Sequence, residues 1–208
     1  QSVIWKGSPD KSKDILTESI VYDDFGRATK SIIPTPSNLA TGAYNTSHQT
    51  LAEDFYGDTK PFNLLTLENS PLSRPKEMLG AGQNWHTGNK AEKISYSSAG
   101  NTVAKYILSA GGATATENYD ANTLFLNTYK DEIDNETAEY IDKEGNTLLE
   151  SRKVNTSTTL YTTYIYDALN RLRYTLMPEA FGTASFSESD AVFTNHIYAY
   201  HYDTKGRM

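Results

Sequence analysis

One six-residue pattern recurs along this chain: Tyr22-Asp23-Asp24-Phe25-Gly26-Arg27, Tyr96-Ser97-Ser98-Ala99-Gly100-Asn101, Ile141-Asp142-Lys143-Glu144-Gly145-Asn146, Tyr166-Asp167-Ala168-Leu169-Asn170-Arg171 and Tyr202-Asp203-Thr204-Lys205-Gly206-Arg207. Its fifth position is Gly or Asn throughout, the two residue types that enter the left-handed αL region most readily. Its second position is Asp or Ser, whose side chain can accept a hydrogen bond from the backbone two residues on. Together these features spell a type I turn followed by an αL bulge, a common way to close a β-hairpin. A chain built on them folds as a succession of antiparallel hairpins.

The segments on either side agree. Ser19 to Tyr22 leads into the first turn and Ala28 to Ile33 leads out, stopped by Pro34; Leu160 to Tyr166 and Leu172 to Met177 repeat the arrangement, stopped by Pro178. The second unit reads as Glu92 to Tyr96 pairing with Thr102 to Leu108, and the third as Ala138 to Ile141 pairing with Thr147 to Val154. The αL positions 26, 100, 145, 170 and 206 are unevenly spaced, which excludes a solenoid of fixed period. The 208 residues therefore read as a single β-rich segment with three irregular insertions, at about 34–75, 80–90 and 179–195. The first holds a short helical pattern at Ser47 to Tyr56, and the third a helical turn after Ser187 with Asp190 near its start. The stretch from Gly80 to Lys90 reads as an ordered loop over the sheet. Fifteen tyrosines suit a pleated surface that is apolar on the ring and wet at the hydroxyl.

Charge and composition exclude several functions. A net charge of −7 with no basic run leaves no electrostatic footprint for nucleic acid or anionic lipid. No apolar stretch is long enough to cross a membrane as a helix, and the opening Gln1 to Lys6 lacks the architecture of a signal peptide. Zero cysteines exclude disulfides, thiolate metal sites and Cys nucleophiles. The last hexapeptide closes at Arg207-Met208, where a return strand should begin, so the chain reads as a piece of a longer polypeptide.

The Tyr-Asp-x-x-Gly-Arg units resemble the YD repeats of the Rhs family of very large bacterial surface and toxin proteins. Two further runs carry the resemblance: Tyr164-Ile165-Tyr166-Asp167 continuing through Arg171-Leu172-Arg173-Tyr174 to Leu176-Met177-Pro178-Glu179-Ala180, and Asn69-Ser70-Pro71-Leu72-Ser73-Arg74 preceding Gly82-Gln83-Asn84-Trp85. The resemblance spans about residues 15 to 208. It implies β-sheets that spiral into a hollow shell, often around a C-terminal toxin cleaved at a conserved core motif, which is not within these residues. It also implies a secreted or cell-surface bacterial location, with neighbouring YD repeats of the same polypeptide as partners and a toxin payload or surface glycans beyond them. Ser97, Asn101, Ile141, Asn146 and Asn170 depart from the pattern, and Asn101 and Asn146 would give up any contact made by the Arg.

The residues assigned to the turns are Asp23, Gly26, Arg27, Gly100, Asp142, Gly145, Asp167, Asn170, Arg171, Asp203, Gly206 and Arg207. Arg27, Arg171 and Arg207 stand at equivalent places and share a structural role. A second function rests on Tyr198, Tyr200 and Tyr202, which alternate onto one side of a strand and could stack on pyranose rings. A third, glycoside hydrolysis, would need two carboxylates at a fixed separation, and Asp131, Glu132, Asp134 and Glu136 lie in a segment that fixes none. His48, His86, His196 and His201 form no metal-type pair and read as surface or sheet residues. Gly80-Ala81-Gly82 lacks the third glycine of a dinucleotide loop, and neither Gly-Lys-Ser/Thr nor Gly-x-Ser-x-Gly occurs. The expectation is a non-catalytic wall segment that takes no cofactor.

Overall fold

Hairpin turns set the architecture, because the strand after each one pairs back on the strand before it. The computed structural model describes residues 1–38 and 40–208. Leu39, inside the insertion expected at 34–75, lies outside the described residues. The chain is mostly β, and its contacts gather into two units, Gln1–Ile94 with Asp131–Asp134, and Ser95–Lys130 with Asn135–Met208.

The first unit contains β1 (Ser2–Ile4), β2 (Ile15–Thr17), β3 (Ser19–Tyr22), β4 (Ala28–Ile32), β5 (Thr35–Pro36), helix α1 (His48–Tyr56), β6 (Phe62–Leu67), β7 (Pro75–Leu79), helix α2 (Gln83–Thr87) and the start of β8 (Ala91–Ala99). Strands β1, β2 and β5 form a small antiparallel sheet. Strands β3, β4, β6, β7 and β8 form an antiparallel ladder in that order, with Ile20 opposite Ser31, Ser31 opposite Asn63, and Met78 opposite Glu92. Alternation sends Ile32 and Phe62 to one face, where they bury Ala52 of α1. On the other face Ile20, Leu65 and Met78 line an open groove of about 430 Å³.

Helix α1 runs where the sequence places it, but Ser47 makes no side-chain cap. Asn45 fixes the entry instead, its Oδ1 accepting the Ser47 N–H at 2.8 Å. Gly57, at φ 62°, ends the helix in the αL region, and the Asp58 N–H bonds back to the Glu53 carbonyl. His48 corrects the surface assignment. It is buried between α1 and β3, accepting from the Ser19 hydroxyl at Nδ1 and donating from Nε2 to the Ile33 carbonyl, while Gln1 Nε2 donates to the same Ser19 Oγ. A carbonyl can only accept, so Nε2 carries a proton, and burial, which disfavours the charged ring, leaves Nδ1 bare to accept from Ser19. Burial holds its pKa below the ordinary histidine value.

The second unit continues through β9 (Ala104–Ser109), β10 (Gly112–Asn118), β11 (Leu124–Lys130), β12 (Glu136–Ile141), β13 (Thr147–Lys153), β14 (Thr159–Tyr166), β15 (Leu172–Leu176), a 3₁₀ turn at Pro178–Ala180, β16 (Ser185–Ser187), α3 (Ala191–His196) and β17 (Ile197–Ala199). Strands β11 to β15 and then β17 form an antiparallel meander. Strands β9, β10 and β16 form a second sheet; Ala113, Ile165, Tyr174, Leu176, Phe186 and Ile197 make one buried cluster of the unit, and Val103, Leu124, Leu148 and Leu149 another. Tyr174 meets Phe186 edge to face, with centroids 5.1 Å apart.

Several expectations are corrected. The insertion at 34–75 contains β6, an inner strand of the first ladder. The stretch at 80–90 contains a short helix rather than only a loop, and 179–195 contributes β16 as well as the helical turn. The second expected hairpin does not form, since β8 pairs with β7 while β9 pairs with β10 in another sheet.

Candidate functional site

The recurring turn is the most elaborated feature of the chain, and in four places one carboxylate organises it. In the first turn the Asp23 N–H donates to the Arg27 carbonyl at 3.0 Å and the Gly26 N–H to the Asp23 carbonyl at 2.9 Å. Asp23 Oδ1 accepts the N–H groups of Phe25 at 3.0 Å and Arg27 at 2.9 Å, and Oδ2 accepts Arg27 Nε at 2.7 Å. Asp167 does the same with Leu169 and Arg171, and Asp203 with Lys205 and Arg207. One oxygen closes the backbone and the other anchors the sixth side chain. This division of labour requires a carboxylate, whose two oxygens both accept.

Positive φ follows at the fifth position: 75° at Gly26, 89° at Gly145, 57° at Asn170 and 77° at Gly206. The register slips by one residue beside the first, third and fourth turns, at Tyr22, Ile141 and Tyr166, which is the αL bulge. The third turn corrects one expectation. Asn146, in the place of Arg, keeps the contact: its N–H donates to Asp142 Oδ1 at 2.8 Å and its side-chain Nδ2 to Oδ2 at 2.9 Å.

Gly100 is a second correction. It is not at positive φ, no hairpin closes on it, and Ser97 organises no turn. A Cβ at Gly100 would stand 1.9 Å from the carbonyl oxygen of Asp120, so glycine is needed there for close approach between two backbone segments.

A further turn escapes the six-residue pattern. Between β6 and β7, the Glu68 N–H donates to the Arg74 carbonyl at 2.9 Å, and Arg74 clamps the Glu68 carboxylate with Nε and a terminal nitrogen, each at 2.9 Å. Ser73 supplies the positive φ, at 50°. The acid at the start and the Arg at the end are the signal, stretched by two residues and with a Ser in the glycine place. This turn lies beside the first: a terminal nitrogen of Arg27 donates to the Glu68 carbonyl at 3.1 Å and to Ser73 Oγ at 3.2 Å. In the second unit Asn146 reaches Asn170 Oδ1 at 3.4 Å, and the Arg171 guanidinium lies over the Tyr202 ring at 4.9 Å. The sixth residue thus closes its own turn and touches the next.

These contacts set the electrostatics. The Arg27 N–H and then its guanidinium hold the Asp23 carboxyl below the usual range, and the Arg207 N–H and guanidinium do so for Asp203. Burial opposes the charge of Asp167, but its bonds from Arg171 and Leu169 outweigh burial and lower its pKa. Arg74 and Ser70 bring Glu68 down to about 2. All four carboxylates are committed as acceptors, which is opposite to the raised pKa of a general acid.

Tyr198 is exposed, whereas Tyr200 and Tyr202 are half-buried. Only Tyr198 lies within β17, and the Tyr202 hydroxyl donates to the Leu172 carbonyl at 3.0 Å beneath Arg171. Asp131 Oδ1 accepts the Ile133 N–H at 3.0 Å in a local turn. Among the described residues no group of three or more His, Asp or Glu side chains is placed to hold a metal, and no helix is long and apolar enough to cross a membrane.

Comparison with known proteins gives three findings. Residues 1–98 match the model of a family described as a domain of unknown function, DUF6443. No curated protein matches the chain. Among solved structures, the chain is similar to one in the crystal structure of TcdB2-TccC3-TEV, at 13% identity and a TM-score of 0.48, over 94% of this chain and 9% of that one.

Proposed function

We propose that this chain is a non-catalytic wall segment of an Rhs/YD-repeat protein, secreted or displayed on a bacterial surface, whose task is to hold a sheet of hairpins in fixed register. The observation that carries the reading is the carboxylate network of the turns. Asp23, Asp167 and Asp203 each spend both oxygens on their own turn, and Arg27 ties its turn to the neighbouring one. Such a network stiffens hairpins and fixes register at their ends. The ordered YD-type motifs along residues 15 to 208 support the family, and with it a payload enclosed by the complete protein. Electron microscopy of the full-length protein tests the proposal: strands β3, β4, β6 and β7, and strands β11 to β15, should each lie in a sheet wall continued by neighbouring repeats. Turnover of any member of a polysaccharide and glycoside panel by the purified chain, abolished by a carboxylate substitution, would overturn the non-catalytic assignment.

A further inference from the structure

Four turns of this protein share a feature that their hydrogen bonds do not require. The residue just before the αL position is large, apolar and turned to solvent: Phe25 before Gly26, Leu72 before Ser73, Ile133 before Asp134 and Leu169 before Asn170, exposed by 77%, 70%, 72% and 71%. A tip position that only had to close a hairpin would suit Asp, Asn, Ser or Lys, as Lys205 does in the last turn. Repeated exposure of large apolar side chains at one geometric position marks a contact surface.

At one place the knob adjoins a hollow. Phe25, Arg27, Asn69, Ser70, Pro71 and Ser73 line a recess of about 420 Å³ between the first turn and the Glu68–Arg74 turn, with Phe25 on its wall. Volume is ample for a phenyl ring, and Pro71 and Phe25 give an apolar wall. The Arg27 guanidinium lies 5.2 Å from the Phe25 centroid, with Nε paired to Asp23 and one terminal nitrogen bonded to Glu68 and Ser73, so its other terminal nitrogen is the donor the recess offers. The exposed Asp24 directly precedes the knob. A surface that carries an apolar knob flanked by a carboxylate, beside a recess lined by a guanidinium, is complementary to itself in shape and in charge. Two-fold association requires that property.

We infer that this turn edge is a self-association site, in which Phe25 of one copy seats in the recess between the two turns of a second copy and Asp24 faces that copy's Arg27. The contact is small, so association is weak and salt-sensitive. The claim is independent of the wall-segment reading, since a chain with any other role could dimerise this way.

Sedimentation equilibrium of the 208-residue chain from micromolar to millimolar concentration tests it. The expected result is a monomer–dimer equilibrium whose dissociation constant rises at least tenfold in Phe25→Ser and in Asp24→Lys, and rises with salt. Thermal melts of both variants should match the parent, because neither side chain is buried. Leu169→Ser, equally exposed at another turn, and Val21→Lys, on the outer strand β3, should associate as the parent does. A parent that stays monomeric throughout overturns the inference. So does a Phe25→Ser variant that dimerises unchanged, or loss of the dimer in Val21→Lys alone, which would assign association to strand-edge pairing.

Discussion

The segments Tyr166–Arg171 and Tyr96–Asn101 share a pattern and do different things. The first closes the hairpin of β14 and β15 around Asp167, with Asn170 in the αL region. The second ends β8 and releases the chain toward another sheet, with Gly100 pressed against the Asp120 carbonyl. The difference lies in the second residue. A carboxylate offers one oxygen to two backbone N–H groups and another to the sixth side chain, whereas the Ser97 hydroxyl has a single oxygen. Without the second arm, glycine at the fifth place serves whatever the surroundings need. The motif is therefore a hydrogen-bonding device centred on the carboxylate, and the glycine is secondary.

Gly100→Ala should separate the two segments most sharply. Its Cβ has no room, so a loss of about 3 kcal/mol or more is expected in urea melts, whereas at Gly26, where an added Cβ meets nothing within 4 Å, Gly26→Ala should cost only about 1 kcal/mol through its positive φ. Equal losses at the two sites would break the distinction. Next in size, Asp167→Ala strips two N–H groups of their acceptor and should cost about 1–2 kcal/mol, with Asp167→Asn retaining roughly half, because a carboxamide keeps one accepting arm. An Asn variant as weak as Ala would show that charge, not geometry, closes the turn.

Acid sharpens the comparison further. The pKa values of Asp23, Asp167, Asp203 and Glu68 are lowered in the fold, so their contribution is present above the unfolded carboxylate range and is lost as pH falls through the lower folded values, toward about 2 for Glu68. Protection of the Arg27, Arg171 and Arg207 amides relative to their intrinsic exchange rates should fall in that window, while that of amides flanking Gly100 should not. His48 acts at higher pH. Its folded pKa lies below the unfolded value, so the unfolded chain takes up the proton first and stability of the first unit falls as pH drops below about 6.5. Denaturation midpoints that are flat from pH 7 to pH 5 would contradict the neutral, buried ring. The smallest effect belongs to Ser97→Asp, which should change stability by no more than about 0.5 kcal/mol and create no hairpin, as chemical shifts of residues 96–101 would report.

Much of this was legible in the sequence because the turn is local. Asp23 and Arg27, or Asp167 and Arg171, hold all the atoms that define the bend within five residues, so strand pairing on either side follows. What was hidden depends on partners far along the chain. Gly100 gives no sign of Asp120, twenty residues on, and Phe62 to Leu67 reads as part of a polar insertion until β4 and β7 flank it. His48 looks like an ordinary surface histidine because Ser19 and Ile33, which bury and bind it, are 29 and 15 residues away. The Glu68–Arg74 turn hid for another reason. Its acid is one methylene longer and its loop two residues longer, and the acid–Arg clamp is kept while the spelling changes.

The reach of Arg27 across to Glu68 and Ser73 has a mechanical consequence. A hairpin joined to its neighbour only by ladder bonds can be peeled away strand by strand from a free end, each bond failing in turn. A guanidinium that grips its own loop and the adjoining one transmits tension sideways at the rim, where peeling starts, so the two loops must yield together.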